Sequence, residues 1–459
     1  MRRAAVLLAV LAMTFLPRTG RSGNDHTFPI GGRAAGMAGA YTAMAEEASV
    51  AWYNPAGLGF NERYSLDVSA SAFFLQLVRI PELVRTKLPS GDHVDPFPVT
   101  SFQVVPTSLT YAYRFGRPDA SATIAHSFAL SVFVPQSQKF SKTLTLNSDE
   151  EEPRSGAPFQ YHQKMHLQAE NTLYYLGPSW GMRIGRSLAV GAAMYVTYSV
   201  QTLRTGFNLD IASGSGQNYF FVNTGEISVT ELGVVPVLGV QVRLAQERLR
   251  LGLSVRPIGV RFLRASQGSW LEAQALPADQ NNVYDEPTIS KTEWGLHRSS
   301  PFRATIGAAW VTPGAWTVSA DVDLVAPYRD ADSGIDDRFY ANGRVGCEFL
   351  LGPRYALSAG VFSDVAPERG VSGFAESRIH FFGGTVAFSF LSPYEVTGSE
   401  KTDRITFSTT LGLKYAFGFG DVMGLELDPL AASGTVAELV RKRIRVHDIS
   451  AIVGSSLIF

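Results

Sequence analysis

The chain has 459 residues, of which 18% are charged and 11% aromatic, with 43 glycines, one cysteine and a formal net charge of −1. That balance offers no basic surplus to hold nucleic acid. The lone Cys347 leaves no intrachain disulfide framework, Cys-rich zinc site or CxxC redox pair. Beyond the N-terminus no run of about 18 apolar residues occurs, so helical membrane spans find no support.

Met1–Leu16 places Arg2 and Arg3 before an apolar run, Ala4–Leu16, interrupted by Thr14 alone. A basic front and an apolar centre too short to span predict a secretory signal, here taken as residues 1–22. Pro17 follows, and no cysteine comes after the run to receive a lipid anchor. Next comes Gly31–Phe60, GGRAAGMAGAYTAMAEEASVAWYNPAGLGF, rich in small residues. Its front half, Arg33–Ser49, is expected to be helical but weak, since Gly36 and Gly39 each cost about 1 kcal/mol relative to Ala. Such a helix persists only where something encloses it. Asn54-Pro55 stops any helix, because Pro excludes helical geometry at the residue before it.

From Tyr64 the pattern alternates with period two. Leu66, Val68 and Phe74 oppose Ser65, Asp67 and Ser69; Trp316, Val318 and Val322 oppose Thr317, Ser319, Asp321 and Asp323. Near the end Phe407, Leu411, Leu413, Tyr415 and Phe417 oppose Ser408, Thr410 and Lys414. Each such run is a strand between two different environments. About fourteen of them recur, within the even-numbered range of outer-membrane barrels. Short turns fall at Gly116–Ala120, Ile184–Arg186, Ala245–Glu247, Thr312–Gly314 and Leu351–Pro353. Longer connections fall between them, at Ile80–Pro98, Gln136–Phe159, Ala265–Ile289 and Gly420–Ile444. That alternation predicts brief periplasmic turns and long extracellular loops. Asp210–Gln217 and Ser392–Lys401 depart from it.

A soluble sandwich or propeller also alternates, but its strands usually run five or six residues, whereas several here exceed the roughly ten that cross a bilayer. The last strand ends in an outward apolar row closed by Phe459, which resembles the assembly signal of outer-membrane proteins and implies the barrel-assembly machinery as a partner. The expected architecture is therefore all-β: an outer-membrane antiparallel β-barrel over 61–459 of a Gram-negative bacterium, with a small helical plug at 23–60.

Arg33–Leu58 resembles the N-terminal plug of the FadL-like family of outer-membrane transporters for long-chain fatty acids and hydrophobic compounds. The resemblance rests on the small-residue run with Gly36 and Gly39 and on Tyr53-Asn54-Pro55-Ala56-Gly57. It implies a fourteen-stranded barrel, passive uptake of hydrophobic small molecules, no cofactor, and lateral exit at a kinked strand. Some relatives serve instead in protein secretion, so a non-transporting barrel that binds a partner is the alternative. Pro135 and Pro106 are the candidate kink positions, since Pro cannot donate to a ladder; Pro236 and Pro257 compete. Arg250 and Arg256 lie on the polar face of a strand and are expected to hold Glu46 or Glu47 of the plug, or a carboxylate ligand.

Other constellations carry less. Gly177-Pro178-Ser179-Trp180-Gly181 fits G-x-S-x-G but lies within a strand, where a nucleophile elbow has no place. His162 and His166 share a strand face about 13 Å apart, too far to share a metal, so neither a catalytic nor a metal site is expected. Asp149–Glu152 could hold a divalent cation beside lipopolysaccharide, or simply be solvated. Thr435–Val440 has a helical pattern, and Arg441-Lys442-Arg443 after it could meet lipopolysaccharide. A monomer in outer-membrane lipid is expected.

Overall fold

The computed structural model describes residues 30–44, 47–61, 64–115, 124–151, 156–213, 218–276, 279–330, 335–371, 376–397, 402–428 and 436–458. The expected signal, Glu46, Glu152 and Phe459 lie outside them. Two short helices, α1 (Gly32–Gly36) and α2 (Val50–Tyr53), precede a 3-10 turn at Pro55–Phe60. The strands are β1 (Ser65–Leu88), β2 (Gly91–Phe115), β3 (Ile124–Glu151), β4 (Pro158–Ile184), β5 (Leu188–Ser213), β6 (Asn218–Leu244), β7 (Leu249–Arg256), β8 (Gly259–Leu276) and β9 (Asp279–Ser300). They continue as β10 (Arg303–Thr312), β11 (Trp316–Val325), β12 (Tyr328–Asp330), β13 (Ile335–Asp337), β14 (Tyr340–Leu350), β15 (Tyr355–Asp364), β16 (Ser377–Thr397), β17 (Thr402–Asp428) and β18 (Val436–Ile458).

Neighbours in sequence pair antiparallel around the wall, and β1 meets β18 from Ser65↔Ile458 to Arg79↔Arg445, which closes it. β7 and β8 share one wall position, broken at Pro257-Ile258; β9 and β10 share another, broken at Pro301-Phe302. Counted by wall position, the barrel has 14 strands. The alternation explains why it closes. On β11 Thr317, Ser319, Asp321 and Asp323 are buried inward, while Val318 and Val322 are exposed outward. Leu411 and Leu413 of β17 are 57% and 62% exposed, unaffordable in water but matched to acyl chains. The outward apolar row from Phe407 to Phe419 spans about 30 Å at the usual strand rise and tilt, a bilayer's hydrocarbon thickness.

Two expectations are corrected. Most of the long connections are strand rather than loop: β1 and β2 continue to a turn at 89–90, and β3 to β6 rise as a tall sheet beyond the belt. Above the belt the outer face meets water while the inner face packs Leu83, Leu144, Met165 and Leu425 together, so these segments are polar outward and apolar inward, the reverse of the belt. Val436–Val440 is likewise the start of β18, not a helix.

The wall is not uniformly laddered. β2 pairs with β3 only over Ser108↔Phe133 to Phe115↔His126. Above that level β2 pairs with β1 and β3 with β4, leaving a seam. At its foot, β3 carries Val134 and Pro135 between Phe133↔Tyr175 and Gln136↔Leu173, two residues opposite one, a β-bulge. Pro106 stands across the seam on β2, opposite Ala70 and beside a register shift. Pro236 pairs regularly with Met194.

Candidate functional site

Residues 30–44 and 47–61 fold inside the barrel, and nearly all of them are buried. The expected helix over Arg33–Ser49 shrinks to α1. Ala38 and Gly39 take φ of 55° and 78°, a left-handed pair that ends the helix, and the chain then runs along the inner wall. Asn54 ends α2 in extended conformation, as Pro55 requires, and its side chain organises the turn. It accepts from Ala56 N at 3.1 Å and donates to Thr42 O at 2.9 Å and to Val240 O of β6 at 3.1 Å. Tyr53 closes the other end: its hydroxyl donates to Ile30 O at 2.9 Å and accepts from Ile30 N at 3.2 Å. Burial pushes that phenol up to about 12, so it stays neutral and able to donate.

The wall grips this segment from several strands. Arg33 pairs with Glu348 of β14 through contacts of 2.6, 2.8 and 3.1 Å. One carboxylate oxygen of Asp321 on β11 accepts from both Tyr41 N and Thr42 N, each at 2.9 Å. Asp67 of β1 accepts from Ser49 N at 2.7 Å, Gln241 of β6 donates to Ala43 O at 2.5 Å, and Thr385 of β16 donates to Gly36 O at 2.8 Å. Apart from the Arg33 pair, each satisfies a backbone group of the inner segment that would otherwise be buried without a partner.

Glycine supplies the close approach. Gly181, Gly191 and Gly239 are register partners on β4, β5 and β6, and Asn54–Gly59 lies against them. A Cβ on Gly239 would stand 2.0 Å from Asn54 Oδ1, and one on Gly252 of β7 2.3 Å from Thr42 O. The single sequence does not show which of 43 glycines share a level of the wall; only register brings them together.

Arg256 reaches the inner segment, though not through a carboxylate. Its guanidinium donates to Trp52 O at 2.6 Å and lies 4.0 Å from the centroid of the Trp52 ring. Glu47 instead lines a small cavity with Gly31, Arg33 and Asp67. Arg250 is buried beside the short turn at 245–247, within 3.5 Å of Glu247 O. The Trp52 ring packs 5.1 Å from both Phe133 and Tyr175, which lie at the foot of the seam. An Arg256→Ala variant leaves Trp52 O without its donor and frees the ring. Its expected result is a several-fold higher ion leak in planar bilayers with normal barrel assembly; conductance equal to wild type would remove Arg256 from any anchoring role.

Ser179 is an inward strand residue that shares a hydrogen bond of 2.8 Å with Tyr195 Oη, which donates to Ala51 O at 2.8 Å. It braces the inner segment, and no strand-turn-helix context surrounds it. The acidic run is split by strand alternation: Glu150 turns in to accept from Ser90 N and Oγ, while Asp149 binds Gln160. Among the described residues no group of three or more His, Cys, Asp or Glu could hold a metal.

Above the inner segment lies a cavity with ≈ 730 Å³ of empty space, part of it continuous with solvent. Arg256, Arg303, Arg344 and Lys414 line it against Asp323 and Asp364, four cations to two carboxylates, and Trp52, Tyr53 and Phe362 supply apolar surface. Arg344 is ion-paired with Asp323. Higher still, the inner faces of the tall hairpins form an apolar cluster that includes Leu83, Leu144, Met165, Val422, Leu425 and Ile444.

No protein-family model and no curated protein matches the sequence. Among solved structures, a Pseudomonas aeruginosa FadL homologue aligns over 95% of this chain and 99% of its own, with 9% identity and a TM-score of 0.57. The fold is FadL-like. The toluene transporter TodX of P. putida aligns over 94% of this chain and 99% of its own, at 13% identity and a TM-score of 0.49. A FadL-like barrel of 14 strands with an apolar, ring-edged belt is an outer-membrane barrel of the Gram-negative kind. Its short helices and sheltered interior cations are therefore features of a lumen, enclosed by lipid rather than by a larger protein core.

Proposed function

We propose that the chain is a passive outer-membrane channel for hydrophobic small molecules, and that its preferred cargo is a long apolar chain ending in a carboxylate. The observation that carries this reading is the cavity over the inner segment. It sits below the apolar hairpin cluster, and its cations outnumber its carboxylates by two, four less two. An apolar chain gains about 0.8 kcal/mol per methylene on leaving water, which captures it among the hairpins without specific chemistry. The cationic cavity then discriminates a carboxylate from a neutral hydrocarbon of the same length. Residues 30–61 act as the plug under that cavity, and the seam between β2 and β3 offers a lateral way out. The name of one structural neighbour, a FadL homologue, agrees with hydrophobic cargo.

The test is uptake by a strain lacking the protein and complemented with variants, together with mass spectrometry of lipid retained by detergent-extracted protein. Lys414→Met keeps length and removes one cavity charge. Uptake of a long-chain fatty acid at limiting concentration is expected to fall about tenfold, the scale of one charged hydrogen bond. An alkane of equal length should enter as before. Equal losses for both would remove the carboxylate preference, and normal uptake of both without the protein would remove the transport reading.

A further inference from the structure

The outer face of β18 changes character along its length. Leu457, Val453 and Ile449 lie within the apolar belt, His447 follows, and then Arg445, Arg443 and Arg441. Ile444 and Val446 between them are buried inward, so all three arginines point away from the barrel and all three are exposed. Same-face residues on a strand repeat every ~7 Å, so the three form a ladder about 13 Å long. Register sets them beside Phe419, Asp421 and Met423 of β17, and sets Arg378 of β16 on the far side of Asp421. Over β16–β18, among the described residues, the patch thus holds four cations and one carboxylate.

Two further observations fix its level and its need. Immediately below it is a ring girdle: Phe382 stacks on Phe419 at 5.9 Å, and Tyr415 Oη and His447 Nδ1 lie 2.9 Å apart. Such rings mark the boundary between acyl chains and head groups. Two other outward cations above the belt have carboxylate partners, Lys139 with Glu170 at 2.6 Å and Arg204 with Glu226 at 3.0 Å, while Lys164 stands singly among neutral neighbours rather than in a ladder. Among the described residues Arg441, Arg443 and Arg445 have no ion-pair partner, whereas Lys442, turned inward, is paired with Glu426 at 3.0 Å. Like charges on neighbouring same-face positions repel, and the repulsion turns to attraction when an anion bridges them.

We infer that β16–β18 form a docking face for a phosphorylated glycolipid of the outer leaflet. Its acyl chains lie on Leu411, Leu413 and Ile449, and its phosphates are held by Arg441, Arg443 and Arg445. Arginine is the side chain suited to this, since its planar fork engages two phosphate oxygens at once. A free phosphate would meet the arginines but forgo the belt, so the occupant is a lipid.

The experiment uses full-length protein in detergent and bisphosphorylated lipid A as the probe, with the phosphatase-treated form as control. Retention is read by native mass spectrometry. Wild type should retain the bisphosphorylated probe, and less of it as salt rises. An Arg441→Gln/Arg443→Gln/Arg445→Gln variant should bind about a hundredfold more weakly, at roughly fivefold per arginine near an anionic surface. Arg204→Gln, outward but paired, should change nothing. Heat-modifiable gel mobility reports that the triple variant is folded, and its hydrophobe uptake should match wild type, which separates this face from the lumen. Equal retention of the dephosphorylated probe, or of either probe by the triple variant, would overturn the assignment.

Discussion

Asp321→Ala protein in planar bilayers is expected to conduct ions at least a hundredfold more often than wild type. One buried oxygen of Asp321 accepts from two consecutive backbone N–H groups of the inner segment, Tyr41 and Thr42. Hydrogen bonds to a charged acceptor contribute about 1.5–3 kcal/mol each, and tenfold in a population corresponds to about 1.4 kcal/mol. Alanine removes both bonds and leaves two donors facing an apolar methyl. Asp321→Asn keeps one neutral acceptor and should show a small fraction of the effect. Gly239→Leu reaches the same state from another strand, because even its Cβ would stand 2.0 Å from Asn54 Oδ1. If both variants stay as tight as wild type, the segment does not close the barrel and the lumen must be sealed elsewhere.

Why these two positions matter could be read only in part from the sequence. Asp321 stood in a polar row opposite Val318 and Val322, which placed it inside a barrel but gave it no partner. Its partners are backbone groups of residues about 280 positions earlier, and no side-chain motif announces a backbone donor. The belt strands were legible because lipid outside and polar lumen inside impose opposite demands on alternate residues. The upper parts of β1, β2 and β3 were not, because there the outer face is polar and the inner face apolar, the reverse of the belt pattern, so the runs read as loops. The Asn54-Pro55 stop was legible from local sterics alone. The end of α1 was not: Gly39 was weighed as a helix weakener, whereas with Ala38 it adopts positive φ and redirects the chain along the wall. Arg256 was placed on the inner face by alternation, but its contact with Trp52 depends on where the enclosed segment comes to rest.

Deleting Pro135 alone is expected to abolish uptake while leaving assembly and plug closure intact. Val134 and Pro135 together oppose a single position of β4, and this bulge turns β3 away from β2 where their pairing ends at Ser108↔Phe133. Removing one residue restores a regular ladder with β4, keeps the faces of Phe133 and every residue before it, and restores amide donors along the edge that faces β2. The two strands can then zip upward and close the seam. Pro106 on β2 still lacks a donor, so the new pairing is incomplete there. Even so, a seam a few hydrogen bonds narrower no longer passes an acyl chain about 4–5 Å across, comparable to one inter-strand spacing. Cargo would still enter the hairpin cluster and the cationic cavity, so the deletion protein should retain fatty acid on extraction while its strain fails to take it up. That combination, binding without delivery, is what distinguishes a blocked exit from a damaged site. Delivery at the wild-type rate by a folded deletion protein would instead route the cargo through the lumen, past a plug that must move.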